Sequence, residues 1–143
     1  MIKAIDHIHL ITPDLGGTIK FYTEVLGFTL HRWVKRGEHD EGVVYLRLGE
    51  MLVELNHRTG ADSAGAGNKP FGLLVDDMEK TVSGLKAKGV EFVFEPRVAN
   101  TFGGLLASIR DPNGVEIELK EYRGDSQLNP DWQPTRPGVV RTA

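Results

Sequence analysis

Two histidines, two residues apart in the apolar run Ile5-Asp6-His7-Ile8-His9-Leu10-Ile11, are the first residues equipped for chemistry. On a β-strand alternate side chains share a face and two residues advance about 6.6 Å, so imidazoles at this spacing can meet at one point. Two glutamates sit in matching triplets, Val53-Glu54-Leu55 and Ile117-Glu118-Leu119. A carboxylate flanked by core-forming residues projects from the opposite face of its strand. Finding that arrangement twice is poorly explained by glutamates placed only for solubility. Imidazole nitrogen and carboxylate oxygen bind divalent ions and also move protons. Taken alone, His7 reads as a hydrogen-bonded histidine at a strand start. His57 lies three residues after Glu54 and is expected on the other face, while His31 and His39 read as surface residues. The chain has no cysteine, which excludes thiolate sites, disulfides and a cysteine nucleophile.

The elements that must position these residues form an internal repeat spanning residues 5–57 and 69–122. Each copy opens on an apolar strand, residues 5–11 and 70–75, which runs into an acidic turn at Asp14 or at Asp76 and Asp77. A helix follows. Its apolar residues are Leu15, Ile19, Tyr22 and Leu26 in the first copy, and Met78, Val82 and Leu85 in the second, the spacing of one buried face. Asp76, with Glu79 three residues on, is the expected N-cap of the second helix. Gly27 and Gly89 stop the two helices, because a left-handed C-cap costs glycine little. Three strands follow each, at residues 28–34, 43–48 and 51–56, then 90–95, 105–110 and 115–120. Asp14 and Asp77 are 63 residues apart, Gly27 and Gly89 62, and Glu54 and Glu118 64. The result is a single domain of two modules, residues 4–57 and 69–122. A Gly/Ala-rich linker, residues 58–68, joins them. The tail, residues 123–143, carries Pro130, Pro134 and Pro137 without periodicity and is expected to be extended, with Trp132 as a docking point. Its Arg123-Gly124-Asp125 tripeptide is incidental.

A length of 143 residues suits one compact domain, and a net charge of -3 without a basic cluster gives no footprint for nucleic acid. No apolar run reaches bilayer length, and the opening residues lack a signal-peptide pattern, so a cytoplasmic protein is expected.

Phe21-Tyr22-x-x-x-Leu26-Gly27-Phe28, Val75-Asp76-Asp77 and Asp111-Pro112-Asn113-Gly114-x-x-Ile117-Glu118-Leu119 resemble the signatures of the vicinal oxygen chelate superfamily. That is the fold of glyoxalase I, fosfomycin-resistance proteins and bleomycin-binding proteins. The resemblance implies an α+β fold in which two tandem βαβββ modules form a curled mixed sheet around a cleft, with helices outside. It places metal-ligand points at His7, Glu54, Pro70 and Glu118. His7, Glu54 and Glu118 are then the expected ligands of a Zn, Ni, Mn or Fe ion. Proline at the second histidine point cannot ligate, which disfavours a ring-cleaving dioxygenase with two histidines and one carboxylate. His9 either replaces that ligand or serves as a substrate contact or acid–base group. The implied function is a metal-dependent lyase or isomerase of glyoxalase I type, acting on a small carbonyl substrate through an enediolate. Glu118 is preferred to Glu54 as the catalytic base. Leu74, beside Gly72, gives an apolar wall for the substrate. Arg32, Arg47 and Arg110 can each pair with a carboxylate or phosphate if turned inward. Strand parity does not choose among them, and Arg47 is taken as the substrate contact together with His9 and Leu74. The alternative is a metal-free protein that binds a small molecule or antibiotic. A homodimer is the assembly the resemblance implies.

Overall fold

The computed structural model describes residues 1, 5–36, 41–60, 69–99 and 103–123. His39, the linker core and the tail after Arg123, with Trp132, lie outside the described residues. The element order is β1 (His7–Thr12), α1 (Leu15–Lys20) continued as a π-helical turn (Phe21–Val25), β2 (Thr29–Arg36), β3 (Glu41–Leu48) and β4 (Met51–His57), then β5 (Gly72–Leu74), α2 (Met78–Ala87), β6 (Phe92–Ala99), β7 (Gly104–Arg110) and β8 (Glu116–Tyr122). Both copies of the repeat are therefore βαβββ, and the fold is α+β. The strands form two four-stranded mixed sheets of order β1-β4-β3-β2 and β5-β8-β7-β6. In each, the first and last strands of a module pair in parallel, β1 with β4 and β5 with β8. The chain groups into two compact units, residues 1–71 with 110–116, and residues 72–109 with 117–143.

In the first unit Asp14 starts α1, its side chain accepting the Gly17 N–H at 3.0 Å. Leu15, Thr18 and Tyr22 are buried, and Val44, Leu46, Val53 and Leu55 of the sheet are buried as well. Burying aliphatic side chains of this size stabilises the unit by about 1.5–3 kcal/mol each. The π turn, closed by Leu26 N–H to Phe21 C=O at 3.2 Å, ends at Gly27 with φ +80°, the left-handed cap expected there. The loop after β7 belongs to this unit. Asp111 accepts the Tyr22 hydroxyl at 3.1 Å and the backbone N–H groups of Asn113 and Val115, and Asn113 bonds Thr12 and Thr18.

In the second unit Met78, Val82 and Leu85 are buried beneath α2 as their spacing requires. The N-cap is Asp77, not Asp76: the Asp77 carboxylate accepts the Lys80 N–H at 2.9 Å. The apolar face must begin at Met78, which moves the cap one residue along. β6 extends beyond the expected Glu95 to Ala99, its register with β7 shifting on either side of Phe94. Pro96 lies in the second shift, where a missing N–H costs no ladder bond.

Candidate metal centre

The parallel pairing of β1 with β4 sets His9 directly opposite Glu54 and His7 opposite Leu52. Leu10 and Thr12 of β1, and Val53 and Leu55 of β4, are buried on the helix side. His7, His9 and Glu54 therefore share the other face, as alternation predicts. His7 Nε2 is 3.5 Å from one Glu54 carboxylate oxygen, and His9 Nδ1 is 3.9 Å from the other. Among the described residues these three form the one group of ligating side chains whose donor atoms lie within 4.8 Å of one another. Four ligands around a zinc ion stand about 3.3 Å apart. Two imidazoles and one carboxylate at these spacings fit a divalent ion with small side-chain adjustments, and the mixed nitrogen and oxygen donors suit the same first-row metals.

Neighbours orient two of the three donors. His7 Nδ1 bonds the Asp6 carboxylate at 2.9 Å, which leaves Nε2 turned toward Glu54. That hydrogen bond is the main cause raising the His7 pKa above 6.5; partial burial works against it and Glu54 adds to it. Burial pushes Glu54 upward, but hydrogen bonds from Asn56 and Tyr45 and the two nearby imidazoles outweigh it, so its net shift is downward. The Asn56 amide donates to Glu54 at 2.6 Å. The Tyr45 hydroxyl donates from β3, where Tyr45 is the register partner of Glu54, and this bond is the first cause of the raised Tyr45 pKa. Tyr45 and Asn56 were not among the sequence candidates. Asn56 had a signal, two residues from Glu54 on the same strand; Tyr45 becomes visible only once β3 is registered against β4.

On β2, Thr29 pairs with Arg47, Leu30 with Leu46 and Arg32 with Tyr45, so His31 is an extra residue in a bulge. The bulge turns Arg32 onto the Glu54 face, which unbroken alternation would not do. His9, Glu54, Tyr45 and Arg32 thus form one row across four strands. Arg47 shares this face, its Nε donating to the Gly49 carbonyl at 2.9 Å and its guanidinium 3.5 Å from Glu50. His57 points to the other face and bonds the Pro13 carbonyl at 3.2 Å, and His31 is exposed.

Glu118 occupies in β8 the place that Glu54 has in β4. It is flanked by the buried Ile117 and Leu119, is the register partner of Gly72, and lies 3.7 Å from the Lys120 ammonium. It lines a depression of about 300 Å³ with Gly72, Leu73, Leu74, Lys120 and Tyr122, and Leu74 is 57% exposed there. Pro70 precedes β5. Arg110, the last residue of β7, is exposed.

The family model for the Glyoxalase/Bleomycin resistance protein/Dioxygenase superfamily matches residues 4–119. A probable chloroplastic lactoylglutathione lyase of Arabidopsis thaliana is 38% identical over 80% of this chain and 35% of its own length. The chain thus spans about a third of that relative. The mitochondrial methylmalonyl-CoA epimerase of Homo sapiens is 30% identical over 84% of this chain and 74% of its own. The crystal structure of a glyoxalase family protein from Enterococcus faecalis superposes with a TM-score of 0.68 at 27% identity, covering 83% of this chain and 98% of that one. No described helix is long and apolar enough to cross a membrane.

Proposed function

The chain belongs to the Glyoxalase/Bleomycin resistance protein/Dioxygenase superfamily, and from that premise we propose a metal-dependent lyase or isomerase of glyoxalase I type, which moves a proton beside the carbonyl of a small substrate through an enediolate. The observation that carries this reading is the convergence of His7, His9 and Glu54 within 4.8 Å. These residues would hold a Zn, Ni, Mn or Fe ion, and a bound ion would act as a Lewis acid toward the carbonyl. Asp6 fixes the tautomer and direction of His7. Tyr45 and Asn56 pin the Glu54 carboxylate and keep it ionised, which suits a ligand. Glu54 is given to the ion in this reading, so Glu118, its counterpart in the second module, is the proposed proton-transfer group. The two named relatives are a lyase and an epimerase, and the choice between those reactions is the substrate's.

One observation favours the other class. Pro70 and Gly72 put no ligating side chain at the start of the second module, as would suit a protein that only sequesters a small molecule. Elemental analysis of protein purified without chelator or tag metal separates the two readings. About one ion per chain, lost in His7→Ala and Glu54→Ala, supports the enzyme, which is then screened on α-oxoaldehyde thiohemiacetals and racemic acyl thioesters. No stoichiometric metal after adding Ni²⁺, Zn²⁺, Mn²⁺ and Fe²⁺ in turn sinks it. Sedimentation of the same preparation tests the expected homodimer.

A further inference from the structure

β2 is an edge strand of the first sheet, and its bulge at His31 has a chemical consequence. Without the extra residue, alternation would send the side chain at position 32 to the helix side. With it, Arg32 pairs with Tyr45 and extends the row of His9, Glu54 and Tyr45. Strands lie about 4.8 Å apart, so the Arg32 backbone stands two strands, about 10 Å, from that of Glu54. Tyr45 lies between them, its hydroxyl engaged by Glu54. Arg32 is exposed, and among the described residues its guanidinium has no hydrogen-bond or ion-pair partner. Arg47, the other arginine on this face, is tied to Gly49 and Glu50.

We propose that Arg32 is a specificity-determining residue that receives a carboxylate at the far end of the substrate from its reacting carbonyl. The proposal rests on the preceding functional reading only for the carbonyl end. The guanidinium presents parallel N–H donors that match a carboxylate in a two-pronged bond. The two-strand offset sets the length of the substrate. With Tyr45 between them, a group held at Glu54 and a group held at Arg32 are separate points of one molecule, which places the carboxylate away from the carbonyl. The substrate class is therefore an acyl compound with a distal carboxylate.

Two acids of equal chain length make the test. 2-Oxoglutarate carries the distal carboxylate, and 2-oxopentanoate ends in a methyl group. Their dissociation constants are measured by calorimetry for wild type, Arg32→Ala and Arg47→Ala, each with Mn²⁺ and without added metal. Ion binding is titrated separately, so loss of the metal reading shows in that titration alone. Wild type is expected to prefer 2-oxoglutarate about tenfold or more. Arg32→Ala should erase the preference while leaving 2-oxopentanoate affinity and ion affinity unchanged. Arg47→Ala, the same change of charge on the same face, should act on both acids alike and keep it. Equal or undetectable binding of both acids by wild type overturns the proposal. So does a preference that survives Arg32→Ala, or one that disappears in Arg47→Ala.

Discussion

Replacing His9 by alanine tests whether the proposed ion is bound with an imidazole that family resemblance alone does not assign. His9 Nδ1 lies 3.9 Å from Glu54, and the imidazole is half-exposed, so its removal leaves the core untouched. A structural zinc site with four ligands is worth about 10–16 kcal/mol, so one ligand averages about 3 kcal/mol. At 1.4 kcal/mol per tenfold, the dissociation constant should rise roughly a hundredfold, and less where water takes the vacated position. The assay is competition against a chromophoric chelator with Zn²⁺ or Mn²⁺, at a pH well above the raised His7 pKa. His57→Ala is the comparator, because His57 bonds the Pro13 carbonyl from the opposite face and should bind as wild type. Losses in His7→Ala and Glu54→Ala with none in His9→Ala would refute the reasoning and leave His9 to a substrate or acid–base role. A hundredfold loss in His57→Ala would refute it too, since the ligand face would then be wrongly assigned.

Asp6→Ala should weaken ion binding by about tenfold to a hundredfold at unchanged thermal stability, because it removes the acceptor that orients His7; the same chelator competition reads it. Ion binding requires neutral imidazole, and His7 takes up its proton at a higher pH than an ordinary histidine. Affinity should therefore fall as pH drops through the raised His7 pKa, before the lowered Glu54 protonates, and a pH series of the titration shows the order. Tyr45→Phe takes one donor from Glu54, so the carboxylate pKa rises and the acid limb contributed by Glu54 moves to higher pH in that series. Asp111→Ala leaves the Tyr22 hydroxyl and two backbone N–H groups without their acceptor, and should cost about 2–4 kcal/mol in urea unfolding. Burial raises the Asp111 pKa, so wild-type stability carries, beside those hydrogen bonds, a component that is complete below 3.8 and lost as pH rises through the raised value; Asp111→Asn should lack that component.

The βαβββ repeat was legible because its signals are local. Leu15 and Tyr22 mark one buried helix face, Met78, Val82 and Leu85 the other, and glycines close both helices. Alternation along single strands also placed His7, His9 and Glu54 on one face and His57 on the other. What depends on two strands at once was not legible. Tyr45 and Glu54 are nine residues apart, and only the antiparallel register of β3 with β4 makes them partners. Arg32 was undecidable for a sharper reason: a one-residue bulge reverses the face of every later side chain in β2, and nothing in Leu30-His31-Arg32-Trp33 announces it. The second helix cap was misplaced because Asp76 and Asp77 offer the same chemistry. Where the buried stripe starts decides between them.

The two copies of the repeat differ at the register points that matter for chemistry. His9 faces Glu54 across β1 and β4, and Gly72 faces Glu118 across β5 and β8. The strand starts differ in the same sense, His7 against Pro70. One copy therefore holds imidazole at both points and the other at neither. The resemblance leads one to expect one histidine from each copy, so the number of imidazoles is unchanged while their location is not. Gly72 is not forced to be glycine by crowding, since an added Cβ would come no nearer than 3.6 Å to Glu118. Packing thus gives no reason for the bare position, and the gain at His9 matches the loss at Pro70 in donor type and number. Placing histidine at position 72 should then add a donor beside Glu118 without loss of stability. Thermal unfolding of Gly72→His measures this directly: an unchanged midpoint supports it, and a lowered midpoint shows that packing requires the bare position.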